Sequence, residues 1–318
     1  MNYQEHLFRT KVDVPKWNNP IQASDHVVFL GSCFAQYMGE RFHSFGLNAL
    51  SNPLGVLYNP ESIRLQVHAA LRMEEVRIPV FQTEGEWHCW WAGTQISGMS
   101  EPECRNVVEG ALQMLKLSLL SADYLFVTLG TNVCYKLLAT GTVVANCHKA
   151  PHSWFCEEWL SLPACVDALK ALVTELHQEN SNLKIVFTIS PFRYAKYGFH
   201  GNQVAKSTLI LAVEEVLKAY PGLVSYFPAY EIVMDELRDY RFYTEDMLHP
   251  SGMAADYIWE CLVGAVMSDT LQEYLREYAP IRGGLFHKPS KPESEAYRNF
   301  LASLEEKAKM LKAKYNIL

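Results

Sequence analysis

No run of about 18 consecutive apolar residues occurs anywhere in the 318 residues, so a transmembrane helix is not expected. The first residues, MNYQEHLFRTKVDVPKW, are polar and charged where a secretory leader needs an apolar stretch, and the expected location is cytoplasmic. The eight cysteines include no C-x-x-C pair; in a reducing compartment they are free thiols, mostly small buried hydrophobes. The tract Cys147-His148, His152, Cys156 lacks the paired close spacing of a structural zinc site, so no metal is expected. Basic excess is also missing. The net charge is −7, and residues 285–318 carry seven Lys/Arg against four Asp/Glu, leaving the rest of the chain with 21 against 31. A body this acidic argues against a nucleic-acid partner. Internal repeats and low-complexity linkers are absent before about residue 280. With 49% hydrophobic and 20% charged residues, the composition excludes disordered, collagenous and coiled-coil classes.

What is present is an alternation. Short apolar runs rich in β-branched and aromatic residues, 26-HVVFLG-31, 124-YLFVTLG-130, 184-KIVFTIS-190 and 224-VSYFP-228, read as strands of a parallel sheet covered on both faces. Between them lie amphipathic helical patterns at 59–75, where Asn59 suits a cap and Pro60 the first turn, and at roughly 104–121, 163–180 and 204–219. A longer one follows Ser251 and runs to Met267. Strands alternating with helices predict a doubly wound α/β sandwich. Two excursions break the pattern: a hairpin at 76–98, with Gly85 near its turn and Trp87, Trp90 and Trp91 clustered, and a mixed segment at 134–160. Both are expected to be substrate walls or lids, or, for the tryptophans, a plug at the sheet edge. From residue 283, Gly-Gly and then K-P-S-K-P mark a boundary. This separates a body of residues 1–282 from an amphipathic tail at 283–318. Its stripe of Tyr297, Phe300, Leu301, Leu304, Met310 and Leu311 suits docking on its own domain or on a second copy rather than on a membrane.

Four segments carry chemistry. In 27-VVFLGSCFAQYMGERF-42 a strand ends at Gly31 and a helix starts within a few residues. That puts Ser32 or Cys33 beside helix-start N–H groups, which stabilise an oxyanion and favour a thiolate. In 52-NPLG-55, Gly55 offers an unobstructed backbone N–H. In 125-LFVTLGTN-132, Asn132 at a strand end offers an amide donor. In 244-TEDMLHPSGMAADYIW-259, Asp246 and His249 are three apart before a capped helix. This spacing lets the carboxylate hold imidazole Nδ1–H and frees Nε2 as a base.

Taken in order, these four segments resemble the SGNH hydrolase superfamily: a nucleophile after the first strand, a glycine, G-x-N, then D-x-x-H near the end. More narrowly, Gly-Ser-Cys-Phe-Ala at 31–35 resembles the signature of the GSCFA family. So do Asn146-Cys147-His148-Lys149, Thr188-Ile189-Ser190-Pro191-Phe192-Arg193 and 226-YFPAYEIVMDELRDYRFYTEDMLHPS-251, and the resemblance extends over residues 7–265. It implies a three-layer flavodoxin-like α/β/α fold and an acyl-ester hydrolase, with a carbohydrate or small acylated molecule as substrate and no cofactor. In the implied site, Ser32 or Cys33 attacks, His249 takes the proton with Asp246 orienting it, and Gly55 and Asn132 hold the oxyanion. His148 and Arg193 are candidates to bind substrate. Two positions depart from the superfamily pattern: G-D-S is Gly31-Ser32-Cys33, and the Asp that often follows G-x-N is Val133. Aligning the glycines puts Cys33 in the serine place. An acyltransferase using the same site, or a glycan- or acyl-binding module without turnover, remain alternatives.

Overall fold

The computed structural model describes residues 10–287, 289 and 292–317. Residues 1–9, with most of the leader reading and the start of the resemblance, and Lys288, Ser290 and Lys291 of the K-P-S-K-P stretch lie outside the described residues.

Strand β1 (Val27–Gly31), buried throughout, runs straight into helix α1 (Cys33–Ser44), then a three-residue strand β2 (Ala49–Ser51) and α2 (Pro60–Leu71). The first excursion is a small antiparallel sheet of β3 (Val80–Thr83), β4 (Glu86–Cys89) and β5 (Ser97–Gly98). Glu84 and Gly85 both take positive φ (49° and 88°), the two-residue turn that matches the twist of paired strands. After α3 (Glu101–Ser121) and β6 (Tyr124–Leu129) comes the second excursion, an antiparallel sheet of β7 (Val133–Leu137), β8 (Val143–Val144) and β9 (Phe155–Trp159). The chain continues through α4 (Leu162–Glu179), β10 (Lys184–Ile189), α5 (Gly198–Ala219), β11 (Val224–Phe227) and a single turn α6 (Ala229–Glu231). It closes with α7 (Gly252–Val266), α8 (Asp269–Leu285) and α9 (Glu295–Lys314).

Helix starts are encoded locally. Asn59 Oδ1 accepts from Ser62 N at 2.8 Å with Pro60 in the first turn. Ser100, Ser161 and Ser251 accept from Glu103, Ala164 and Ala254 in the same way.

The central sheet is parallel throughout, in the order β11-β10-β6-β1-β2. This is the flavodoxin-like order, in which the chain moves to one side of β1 for β2 and to the other for β6. Alternation along β1 shows both covered faces: Val28 and Leu30 point into a core with α2, α3, α4 and α5, while Val27 and Phe29 point into one with α1, α7, α8 and α9. The result is a three-layer α/β/α sandwich. Diverging crossovers open a crevice beyond the carboxyl ends of β1 and β6, where such folds bind ligands.

Gly283 and Gly284 do not break the chain; they are helical, inside α8. A Cβ on Gly284 would come within 2.5 Å of Leu304 Cδ1, so glycine lets α9 pack closely there. Leu304 and Ile317 are buried against the α7–α8 side, and Lys314 and Tyr315 both reach Glu277. Among the described residues, no helix is long and apolar enough to cross a membrane.

Candidate functional site

The nucleophile segment is built by close backbone approach. Gly31 has φ +121°, and a Cβ there would lie 2.1 Å from Thr128 O of β6, so only glycine fits. Gly31 N donates to Asn52 Oδ1 (2.9 Å) and Ser32 N to Thr128 O (3.1 Å), locking the turn to both neighbouring strands. The two candidates then part. Ser32 is buried, and its Oγ accepts from Phe34 N as the N-cap of α1 (3.3 Å). Cys33, the first helical residue, is exposed and opens on the crevice. Although the residue as a whole is exposed, the protein packed around its thiol pushes the pKa up, opposed by the N–H groups of Cys33 and Phe34 and by the charge of Lys206. The resting group is therefore a thiol rather than the standing thiolate a helix start alone would favour.

Facing it is the loop before α7. A bridge between Tyr243 and Pro250 closes this loop, and Met247 turns it with φ +58°. Asp246 Oδ1 accepts from Leu248 N (2.8 Å), His249 N (2.9 Å) and Thr244 Oγ1 (2.7 Å), while Oδ2 faces His249 Nδ1 at 2.5 Å. Those donors, backbone His249 N first, hold the carboxyl far below the usual range, so it is ionised at any working pH. The Phe192 ring lies 4.1 Å from the imidazole, centroid to centroid.

Cys33 and His249 line the same 480 Å³ cleft, as do Ser190 and Phe192; a smaller 200 Å³ hollow meets it at these four residues. No direct hydrogen bond joins Cys33 to His249 among the contacts of the described residues. The far wall comes from Tyr58, Tyr135, Tyr194 and Tyr197, and from Asn146, Cys147 and His152 of the second excursion.

Four expected residues are placed elsewhere. Gly55 N donates to Asn52 O (2.8 Å), and its Cα packs on Gly93 and Gln95 outside the cleft lining. Asn132 is buried and outside the cleft lining, with Nδ2 donating to Leu160 O at 2.8 Å just past the end of β9. His148 is buried beneath the tryptophan hairpin. Its Nε2 faces Cys89 O at 3.0 Å, its ring packs on His88, and burial together with His88 pushes its pKa down to about 4. Arg193 braces the loop before α7: its N donates to Leu248 O (3.0 Å) and its guanidinium stacks over Phe199, 4.4 Å from the ring centre. Trp90 stacks on Phe81 and, with Trp91, lines a separate 550 Å³ cleft. Among the described residues, no three His, Cys, Asp or Glu side chains converge as a metal site needs.

Two residues adjoin the cleft although sequence reasoning passed over them. Asn59 lines the cleft, and with its Oδ1 turned to Ser62 N the amide NH₂ is left for the cavity. Its reading as a helix cap concealed this. Lys206, one residue in the middle of an amphipathic pattern, lies buried under the cleft floor.

The GSCFA family model matches residues 26–262, and the model described as GSCFA domain protein, C-terminal domain, matches residues 279–318. No curated protein matches the chain. Among solved structures, a family two carbohydrate esterase from Clostridium thermocellum in complex with cellohexaose is similar at 13% identity and a TM-score of 0.39. The alignment covers 80% of this chain and 67% of that one. An acetyl xylan esterase, Est2A, from the rumen bacterium Butyrivibrio proteoclasticus is similar at 12% identity and a TM-score of 0.38, covering 83% of this chain and 66% of that one. The chain thus spans about two thirds of the length of these structures.

Proposed function

The chain belongs to the GSCFA family, and on that premise we propose that it is an acyl-ester hydrolase of the SGNH type working through a covalent thioester on Cys33. The observation that carries this reading is the exposed Cys33 at a helix start, sharing one cleft with a histidine whose Nδ1 is held by an ionised aspartate. In this reading Sγ attacks the ester carbonyl while His249 Nε2 takes the thiol proton as the bond forms, because burial keeps the thiol protonated at rest. The oxyanion is met by the Cys33 N–H, the first free donor of α1, and by the Asn59 amide. Collapse of the tetrahedral intermediate expels the alcohol, which His249 protonates. Water, deprotonated by the same nitrogen, then attacks the thioester and frees the acid. Asp246 stays ionised and fixes the tautomer throughout.

The tyrosine wall supports a carbohydrate or other small polyhydroxylated ester as substrate, since phenol rings offer stacking faces and hydroxyl partners together. The test is turnover of p-nitrophenyl acetate and acetylated oligosaccharides, with mass spectrometry of the Cys33 peptide for an acyl adduct. Turnover by wild type no greater than by His249→Ala would overturn the reading.

A further inference from the structure

The mechanism above leaves one buried charge without a task. Lys206, on α5, is 1% exposed, yet among the described residues no carboxylate pairs with it. Its Nζ donates instead to Gly130 O (2.7 Å) and Ser190 O (2.8 Å), the residues that immediately follow β6 and β10. Both carbonyls belong to residues lining the cleft beside Cys33. Burying a lysine without an anion is costly, and its ammonium form is favoured by any negative charge that arises nearby.

We propose that Lys206 is a positioning residue for the catalytic cleft: its amine ties together the two strand ends that floor the cleft, and its ammonium is the buried counter-charge for the Cys33 thiolate. This inference rests on the reading of Cys33 as nucleophile. The groups facing Cys33 are Lys206 from α5, His249 from the loop before α7, and Tyr58 from the segment before α2. Those facing Lys206 are Cys33 and the Tyr230 ring of α6, 5.6 Å away. Burial pulls the lysine down to about 7 while Cys33 pulls it back up. When Cys33 gives up its proton, the thiolate and a protonated Lys206 stabilise one another, and the same charge favours the oxyanion that follows.

The experiment is the pH profile of iodoacetamide alkylation at Cys33, read peptide by peptide in the full chain. Lys206→Gln, which keeps a donor for the strap but no charge, is expected to slow Cys33 alkylation at pH 7 by about tenfold, one pKa unit of lost interaction. Above pH 10 the variant and wild-type rates should meet. Cys147 lines the same cleft but feels Lys196 instead, so its profile should not move. Unchanged Cys33 alkylation at pH 7, or equal slowing of both thiols, overturns the proposal. Where Lys206→Gln fails to fold, the wild-type profile carries the test: the logarithm of the Cys33 alkylation rate should rise with pH at less than unit slope just above pH 7, where Lys206 gives up its proton, and an unbroken unit slope from pH 6 to 9 refutes the coupling. Full ester turnover by Cys33→Ala would instead remove the nucleophile assignment, which alkylation does not report.

Discussion

Ser32 and Cys33 are neighbours with opposite surroundings, and substituting each should separate stability from activity. Ser32→Ala removes the hydroxyl that caps α1 at Phe34 N in a buried position. Loss of an N-cap acceptor costs about 1 kcal/mol, or about 2 °C in Tm for a protein of this size. The backbone donor of Ser32 to Thr128 O survives, so Cys33 keeps its place and ester turnover should stay within about threefold of wild type, well under one pKa unit's worth of free energy. Cys33→Ala trims an exposed side chain, and its stability should change by less than about 0.5 kcal/mol. Turnover should nevertheless fall by about 10⁴ or more, because no other group can form the acyl intermediate. Differential scanning calorimetry and p-nitrophenyl acetate hydrolysis on the same preparations read both quantities. An inactive Ser32→Ala of unchanged Tm, beside an active Cys33→Ala, would refute the reasoning and return the attack to Ser32.

The oxyanion assignment distinguishes two asparagines. Asn59→Ser keeps a capping oxygen for α2 but removes the amide from the cleft, so kcat should drop by about 10² with little change in Tm. Asn132→Ser loses the bond to Leu160 O, so its Tm should fall, by about 1 kcal/mol of stability, while kcat per folded molecule holds; the reverse pattern would restore Asn132 to the cleft. Asp246→Asn keeps an acceptor for Leu248 N and His249 N but turns a donor toward Nδ1. The ring proton then moves to Nε2, and kcat should fall by about 10²–10⁴ with the fold intact by circular dichroism. His148 is held neutral, with its pKa pushed down to about 4 from 6.5. Its contribution to stability is therefore full above pH 6.5 and is lost as pH falls from 6.5 toward 4, amounting to about 3 kcal/mol. His148→Gln should flatten that part of the Tm–pH curve, and an equally steep curve would show that another group titrates there.

Local signals carried much of the architecture. Continuous apolar β-branched runs placed β1, β6, β10 and β11 within a residue or two, because a strand buried on both faces has no polar face to alternate with. Asn59 before Pro60 marked the start of α2, since capping is satisfied by atoms three residues away. The Asp246–His249 contact was legible for the same reason: both partners lie in one turn. Strand β2 was not legible, since three half-buried residues at a sheet edge leave no pattern; it is defined only by its register with Val27–Phe29. Nor was the division of labour around the cleft. Asn132 and Asn59 are both asparagines at element ends, and only the pairing of β7 with β9 turns the first away to Leu160 O while the second faces the cavity. Arg193, His148 and Lys206 were likewise decided by long-range packing, which put one under the loop before α7, one under a distant hairpin and one beneath the floor. Short-range hydrogen bonds and periodicity are written residue by residue along the chain. Which side chain meets the crevice depends on where strands distant in sequence end together, and only the folded sheet sets that.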